Sequence, residues 1–382
     1  MTLTDARRPP AVVPDYRGAN LATVVPALMG PPGHRPVWLP GPASSAEQVV
    51  LLVVDGLGWL QLTERLGMLA NISQLEGRPV TSVVPSTTAT ALTSLVVGAP
   101  PSSHGLVGYK VVVDGPQAPE VMNVLKWRTK SGDARTFVDP TTFQACTPFG
   151  GVSVPVVSKA DFAGSGFTVA HQRGARQVGW NQVSEMAVDV ERLVSAGEPF
   201  VYAYYDGVDK IAHAKGFGPY YDAELVALDR IVGDILDVLA NSAALVVTAD
   251  HGQVEVGPNL VDLDVERIGG VSMTSGEARL RWLHCADRDS GAAERLAAKV
   301  RDLYGHQAWV ATFEEVERLG WFGGPIGPTV RARLGDVAIA AFEPIAFVEP
   351  SDSPESRKLV CRHGSLTPAE MFVPLVAGRG RL

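Results

Sequence analysis

The sequence has only three cysteines in 382 residues, Cys146, Cys285 and Cys361, widely spaced and odd in number. That argues against a disulfide-stapled secreted scaffold and for a reducing compartment in which the thiols are buried and inert. Basic residues are also scarce relative to acidic ones, 33 against 41, for a formal charge of −8. No cationic surface therefore draws in a nucleic-acid duplex by electrostatics alone. No run reaches the roughly 18 consecutive apolar residues of a membrane span, and the opening MTLTDARRPPAVVPDY carries no signal-like apolar stretch. A cytoplasmic protein without membrane contact is the expectation. Internal repeats, heptads and low-complexity tracts are absent too.

What is present is a globular composition: 46% hydrophobic and 19% charged residues, with 39 glycines and 28 prolines marking many turns. The length suits about two or three domains, or one large domain with insertions. Val49 to Val54 reads VVLLVV, apolar at every position, and ends in Asp55-Gly56. A strand buried on both faces of a mostly parallel sheet has this pattern. Three further segments repeat it. RPVTSVVPSTT leads into the helix-like ATALTSLVVG, FVYAYYDGVD ends in Asp206 and Asp209, and ALVVTADHG ends in Asp250-His251. Helical spacing in NQVSEMAVDVERLVSA and YYDAELVALDRIVGDILDVLA completes an alternating, layered α/β core.

The expected organisation is a surface-wrapping segment at 1–46, a core at 47–266 with a loop-rich insertion near 105–150, a small βαβ cap at 267–325, and a return to the core at 326–382. Open α/β sheets place ligands beyond the carboxyl ends of their strands, which is where the polar residues collect. Each has an ordinary alternative. Asp55 could serve only its turn, and Asp209 and His213, at i and i+4, could be a surface pair. His363, in RHG before the helix-start signals Ser365, Thr367 and Pro368, could be a core histidine. Together, however, Asp55, Asp209, Asp250, His213, His251 and His363 form a donor set suited to divalent transition ions. Thr88 sits at an expected helix N-terminus, where amides attract phosphate; it is either a cap hydroxyl or a nucleophile activated by a cation.

With these residues in view, the chain resembles the nucleotide pyrophosphatase/phosphodiesterase branch of the alkaline phosphatase superfamily. The motifs VVDG, VPSTTATALTSLVVGAPPSSHG, YYDGVDKIAHAKG, TADHG and RHG follow in that family's order across residues 49–364. The resemblance implies an alkaline-phosphatase-like α/β fold with a three-layer core, a mostly parallel sheet and inserted cap elements. It implies two zinc ions, with manganese or iron suited to the same positions. Asp55, Asp250 and His251, with Thr88 as nucleophile, would hold one ion; Asp209, His213 and His363 would hold the other. Asp209, not Asp206, takes the ligand position because only it has a histidine four residues later. The implied reaction is in-line attack by Thr88 on the phosphorus of a small phosphate ester or nucleotide, then hydrolysis of a phosphothreonine intermediate with overall retention.

The sequence also departs from that pattern. The family's aromatic-Pro-Asn after the nucleophile is here Ala89, Thr90 and Ala91, so a phosphoryl-oxygen contact is missing. Asn123 or Lys126, in the insertion, are candidate replacements. The metal ligands do not choose between a diester and a monoester or phosphonate. Lys110, Lys126 or Arg128 would favour a dianion, and Trp127 an apolar diester wall. A sulfatase is disfavoured, since Cys146-Thr-Pro-Phe-Gly lies far downstream of Thr88. A non-catalytic binder of phosphate ligands would leave the nucleophile without a purpose. His104 reads as a loop-fixing residue, and Gly164-Ser165-Gly166 as a turn without the Lys and Thr of a phosphate loop.

Overall fold

The computed structural model describes residues 9–287, 289–350 and 352–382; the first eight residues of the expected N-terminal segment lie outside these. A seven-stranded sheet runs through the centre in the order Glu76–Thr81, Phe372–Arg379, Ala243–Thr248, Gln48–Val54, Phe200–Tyr205, Pro155–Lys159, Arg176–Trp180. Phe372–Arg379 runs against the others; the remaining neighbour pairs are parallel. Nearly all side chains of the three central strands, Ala243–Thr248, Gln48–Val54 and Phe200–Tyr205, are buried. Such strands need helices on both sheet faces, which explains why they read as unbroken apolar runs.

The pairing register brings the functional ends together. Val53 pairs with Thr248 and Val54 with Tyr205, so Asp55, Asp206 and Asp250 leave adjacent strands at the same edge. The Asp55 amide still donates to the Tyr205 carbonyl at 2.8 Å, which extends the ladder one residue into the site.

The N-terminal segment is more than a wrapping. Leu21–Met29 is a helix with an Asn20–Thr23 capping box; Leu21, Val24, Val25 and Leu28 belong to the main core, and Ala22 is buried as well. Pro26 inside that helix conceals it from a reading of periodicity and breaker residues. The 105–150 insertion likewise contains a hairpin, Lys110–Asp114 against Pro119–Asn123, continued by two short strands. It is less loop-rich than its prolines suggest.

The cap also differs from its expected outline. Leu280–Cys285, the helix Ala292–Tyr304 and Ala308–Thr312 follow one another, but a later strand, Val337–Ala341, lies between the two strands and is antiparallel to both. The unit therefore passes residue 325, because VAIAA is apolar throughout and reads as a return to the core. Strand alternation divides the faces. Leu283, Cys285, Val337 and Ile339 join a second core with the cap helix, whereas Leu280, Trp282, Ala338 and Ala340 join the main one. The cap thus packs directly on the core.

Candidate metal centre and cleft

Thr88 opens the helix Thr88–Val97, one residue after the N-cap Thr87, whose side chain makes no capping bond. The first intrahelical bond runs from the Ala91 amide to the Thr87 carbonyl, so the Thr88, Ala89 and Thr90 amides have no intrahelical acceptor. The loop before the helix is tied to the chain around His363. Ser86 Oγ donates to the Ser365 carbonyl at 2.7 Å and accepts from the Gly364 amide at 3.2 Å, and His363 Nδ1 lies 2.9 Å from the Ser86 carbonyl.

The three histidines share one orientation. Nδ1 of His251, His213 and His363 faces the carbonyls of Gly252 at 3.1 Å, Cys361 at 2.7 Å and Ser86 at 2.9 Å. A carbonyl only accepts, so each Nδ1 carries the proton and each Nε2 presents a lone pair. His251 Nε2 lies 3.5 Å from Asp55 Oδ1, 3.4 Å from Asp250 Oδ2 and 3.1 Å from Thr88 Oγ1. His213 Nε2 lies 3.3 Å from Asp209 Oδ1. The His251 and His363 rings stack at 3.6 Å, and the His213 and His363 rings are 5.3 Å apart.

Lone pairs that face carboxylates leave the site short of positive charge. Asp55 Oδ1 and Asp250 Oδ2 are buried without a hydrogen-bond donor. Burial, then Asp250 and Asp209, hold the Asp55 carboxyl well above its usual range, and burial likewise raises Asp250. Burial and the neighbouring imidazoles push His363 far down. These groups meet two metal-ligand geometries, with donor atoms within 4.8 Å of one another: Asp55, Asp250 and His251, and Asp209, His251 and His363. His213, expected in the second group, stands outside it and reaches it only through Asp209, while His251 takes the place beside Asp209 and His363.

Supporting residues complete the cluster. Tyr204 donates to Asp55 Oδ2, the Gly56 and His251 amides donate to Asp250 Oδ1 at 3.0 Å, and Gln253 Nε2 donates to Asp209 Oδ1 at 2.8 Å. Gly56 has φ +73°, and a Cβ there would sit 3.0 Å from the Asp209 backbone, so only glycine permits this approach. Asp206 faces Lys159 and Lys210 at 2.6 and 2.5 Å instead.

A cavity of about 390 Å³ is lined by Thr87, Thr88, Asp209, His213 and His363 together with the insertion and the cap. Lys110, Tyr109 and Lys126 come from the insertion, and Glu277, Arg281 and Arg362 line it as well. Sequence reasoning missed Glu277 and Arg281, which reach the cleft only through the cap and so carry no local signature, and also Arg362, although it adjoins His363 in the RHG motif. Glu277 is raised to about 8, chiefly by burial. A larger cavity of about 980 Å³ between the insertion and the cap contains none of the clustered residues.

Two sequence candidates are placed differently from expectation. Asn123 spends its amide on the Tyr109 hydroxyl at 2.6 Å and its oxygen on the Lys126 amide at 3.0 Å; it does not line the cleft. Trp127 is no cleft wall: it is buried, set edge-on to Phe143, and donates Nε1 to the Val138 carbonyl. His104 ties Ser94 to its own loop, and Ser165 caps the helix Gly166–Gln172. Cys285 and Cys361 are buried and Cys146 is partly buried, and among the described residues no helix is long and apolar enough to cross a membrane.

With this geometry in place, comparison with known proteins is informative. No curated protein sequence matches the chain. Among solved structures, murine ectonucleotide pyrophosphatase/phosphodiesterase 5 superposes with a TM-score of 0.64 at 16% identity, covering 86% of this chain and 87% of its own. The same murine protein in an inactive form with AMP gives 0.60 at 16% identity, with 87% of each chain covered. Phosphonoacetate hydrolase from Sinorhizobium meliloti with phosphonoformate gives 0.60 at 17%, covering 87% and 90%. These likenesses establish the α/β fold with its large, mostly parallel central sheet. The type I phosphodiesterase/nucleotide pyrophosphatase family model matches residues 49–308. The chain therefore belongs to the type I phosphodiesterase/nucleotide pyrophosphatase family and, with it, to the hydrolases of phosphoric esters.

Proposed function

We propose that this protein is a two-metal phosphoric ester hydrolase of the phosphodiesterase/nucleotide pyrophosphatase type that acts through Thr88. The observation that carries the reading is the pair of buried, donorless oxygens, Asp55 Oδ1 and Asp250 Oδ2, facing the His251 Nε2 lone pair. A divalent cation resolves all three at once, so the residues fit the group. Asp55, Asp250 and His251 with Thr88 would hold one ion, and Asp209, His213 and His363 the other; the nitrogen and oxygen donors suit zinc. Bound there, such cations supply charge to the phosphoryl oxygens and favour ionisation of the Thr88 hydroxyl.

The chain's own groups account for the rest. The helix start aims the Thr88, Ala89 and Thr90 amides and the positive end of the helix dipole toward a phosphoryl group. Thr88 Oγ1 bonds to phosphorus while the ester P–O bond breaks, its electron pair leaving with the departing oxygen; the hydroxyl proton passes to solvent. Water then attacks the phosphothreonine and releases phosphate or its monoester, so two inversions leave configuration retained. A chiral thiophosphate diester tests this: inversion would reject the covalent step. Metal content and the ratio of bis-p-nitrophenyl phosphate to p-nitrophenyl phosphate turnover set the ester class. A monoester or phosphonate is the second reading, favoured by Lys110 and Lys126 in the cleft lining; the AMP and phosphonoformate complexes of structural neighbours accord with a small phosphate-bearing ligand.

A further inference from the structure

We infer that the cleft beside Thr88 carries a subsite for a second anion, a carboxylate or a further phosphate on the substrate, recognised by Arg362, Lys110 and Lys126. This rests on the reading that the reacting phosphoryl group sits at Thr88.

Among the described residues Arg279, Arg281, Arg333 and Arg362 are buried. Arg279 is held by Glu370 at 2.7 and 2.9 Å. Arg281 is held by Glu349 and Asp352, and Arg333 lies 3.5 Å from the Phe143 ring centre. Arg362 is 4% exposed and lines the cleft, yet among the described residues its guanidinium donates only to the Ser356 carbonyl, at 2.5 Å, and its Nε has no partner. Among the described residues no carboxylate lies within ion-pair distance of it; Asp352, whose charge acts on it from farther off, is bonded to Arg281 and Lys110. A permanent charge held out of water without a counter-ion is costly unless a ligand supplies one.

The same cavity holds two further cations, beside the carboxylates of Asp209, Glu277, Asp352 and Glu355. Lys110 and Lys126 reach the same cavity from the insertion. Lys126 is exposed and has no ion pair among the described residues, while Lys110 retains only Asp352, at 3.0 Å. The lining does not suit a stacked base. Tyr109 is its one aromatic residue besides the histidines, and the Tyr109 hydroxyl is held by Asn123. A base clamp needs two faces; a charged group needs donors from two sides, which Arg362 and the lysines supply.

Calorimetry on zinc-loaded protein with three ligands of matched backbone length tests this: propylphosphonate, 3-phosphonopropionate and ethane-1,2-bisphosphonate. The two ligands with a distal anion should bind about tenfold more tightly than propylphosphonate, and the stronger of them identifies the preferred anion. That ratio should fall below about threefold in Lys126→Ala and in Arg362→Gln, and shrink in roughly 0.5 M salt. Zinc content is measured first, because Arg362 adjoins His363; if Arg362→Gln loses zinc, Lys126→Ala and Lys110→Ala decide. Equal affinities for all three ligands, or a ratio that the variants do not change, overturn the anion subsite and leave the Thr88 reading intact. If propylphosphonate does not bind the zinc-loaded protein at all, the phosphoryl site itself is wrong and this inference falls with it.

Discussion

The Thr88 hydroxyl lies 3.1 Å from His251 Nε2, although 163 residues separate them in the chain. Because His251 Nδ1 faces the Gly252 carbonyl, Nε2 accepts from the hydroxyl and already points at the position a shared cation would occupy. The proposed nucleophile and the proposed ligand thus already lie within hydrogen-bond distance of each other.

Removing the hydroxyl should separate chemistry from metal binding. Thr88→Ala is expected to lower kcat by roughly 10⁴-fold or more while most of the bound metal stays, since the carboxylates and imidazoles remain. Steady-state kinetics and elemental analysis on the same sample check it; full turnover in Thr88→Ala rejects the nucleophile.

Metal should stabilise the fold, and the pH dependence should reverse with it. In the metal-free protein, burial raises the Asp55 and Asp250 carboxyls. The native state then holds protons that the unfolded state has lost, so stability falls as pH rises above about 4. Metal displaces those protons, so its affinity should rise with pH, and each site should add about 2.7 kcal/mol at 100 times Kd. Thermal melts with and without zinc from pH 5 to about 8 read both effects. Apoprotein melting that is flat with pH would contradict the buried-acid picture.

Glu277 offers a narrower test. Its carboxyl is raised to about 8, mainly by burial, so in the metal-free chain it costs stability progressively from its ordinary range up to that pH. Glu277→Gln removes the titration. Relative to the parent, the variant should gain on the order of 1–3 kcal/mol between pH 5 and about 8, read from denaturant midpoints at the two pH values. A constant difference would show that Glu277 does not titrate in this way.

The buried Arg279–Glu370 pair fastens the cap to the chain that carries His363. Glu370 also accepts from the Ser365 amide and the Thr367 hydroxyl, and Arg279 also donates to the Ala341, Glu343 and Ile345 carbonyls. Glu370→Ala strands the arginine and should cost about 3–5 kcal/mol, seen in urea unfolding. A loss under about 1 kcal/mol would mean that water or another acid takes over.

Much of this protein is written locally. Runs such as VVLLVV in Val49–Val54 can only be strands covered on both faces, and the acids that close them fall at the ligand edge because parallel strands end together. Asp209 and His213 are one helical turn apart, so their approach is a property of helix geometry. Other features have no local signature. The burial of Trp127, the diversion of Asn123 to Tyr109, the extension of the cap past residue 325, and the meeting of Glu277 and Arg281 with Thr88 all depend on how the insertion and cap pack. The order of polar and apolar residues therefore determined the sheet, the edge where its acids gather and the candidate donor set. Only the tertiary structure decided which charges are left unpaired in the cleft, because a counter-ion can come from any part of the chain that folding brings within a few ångströms.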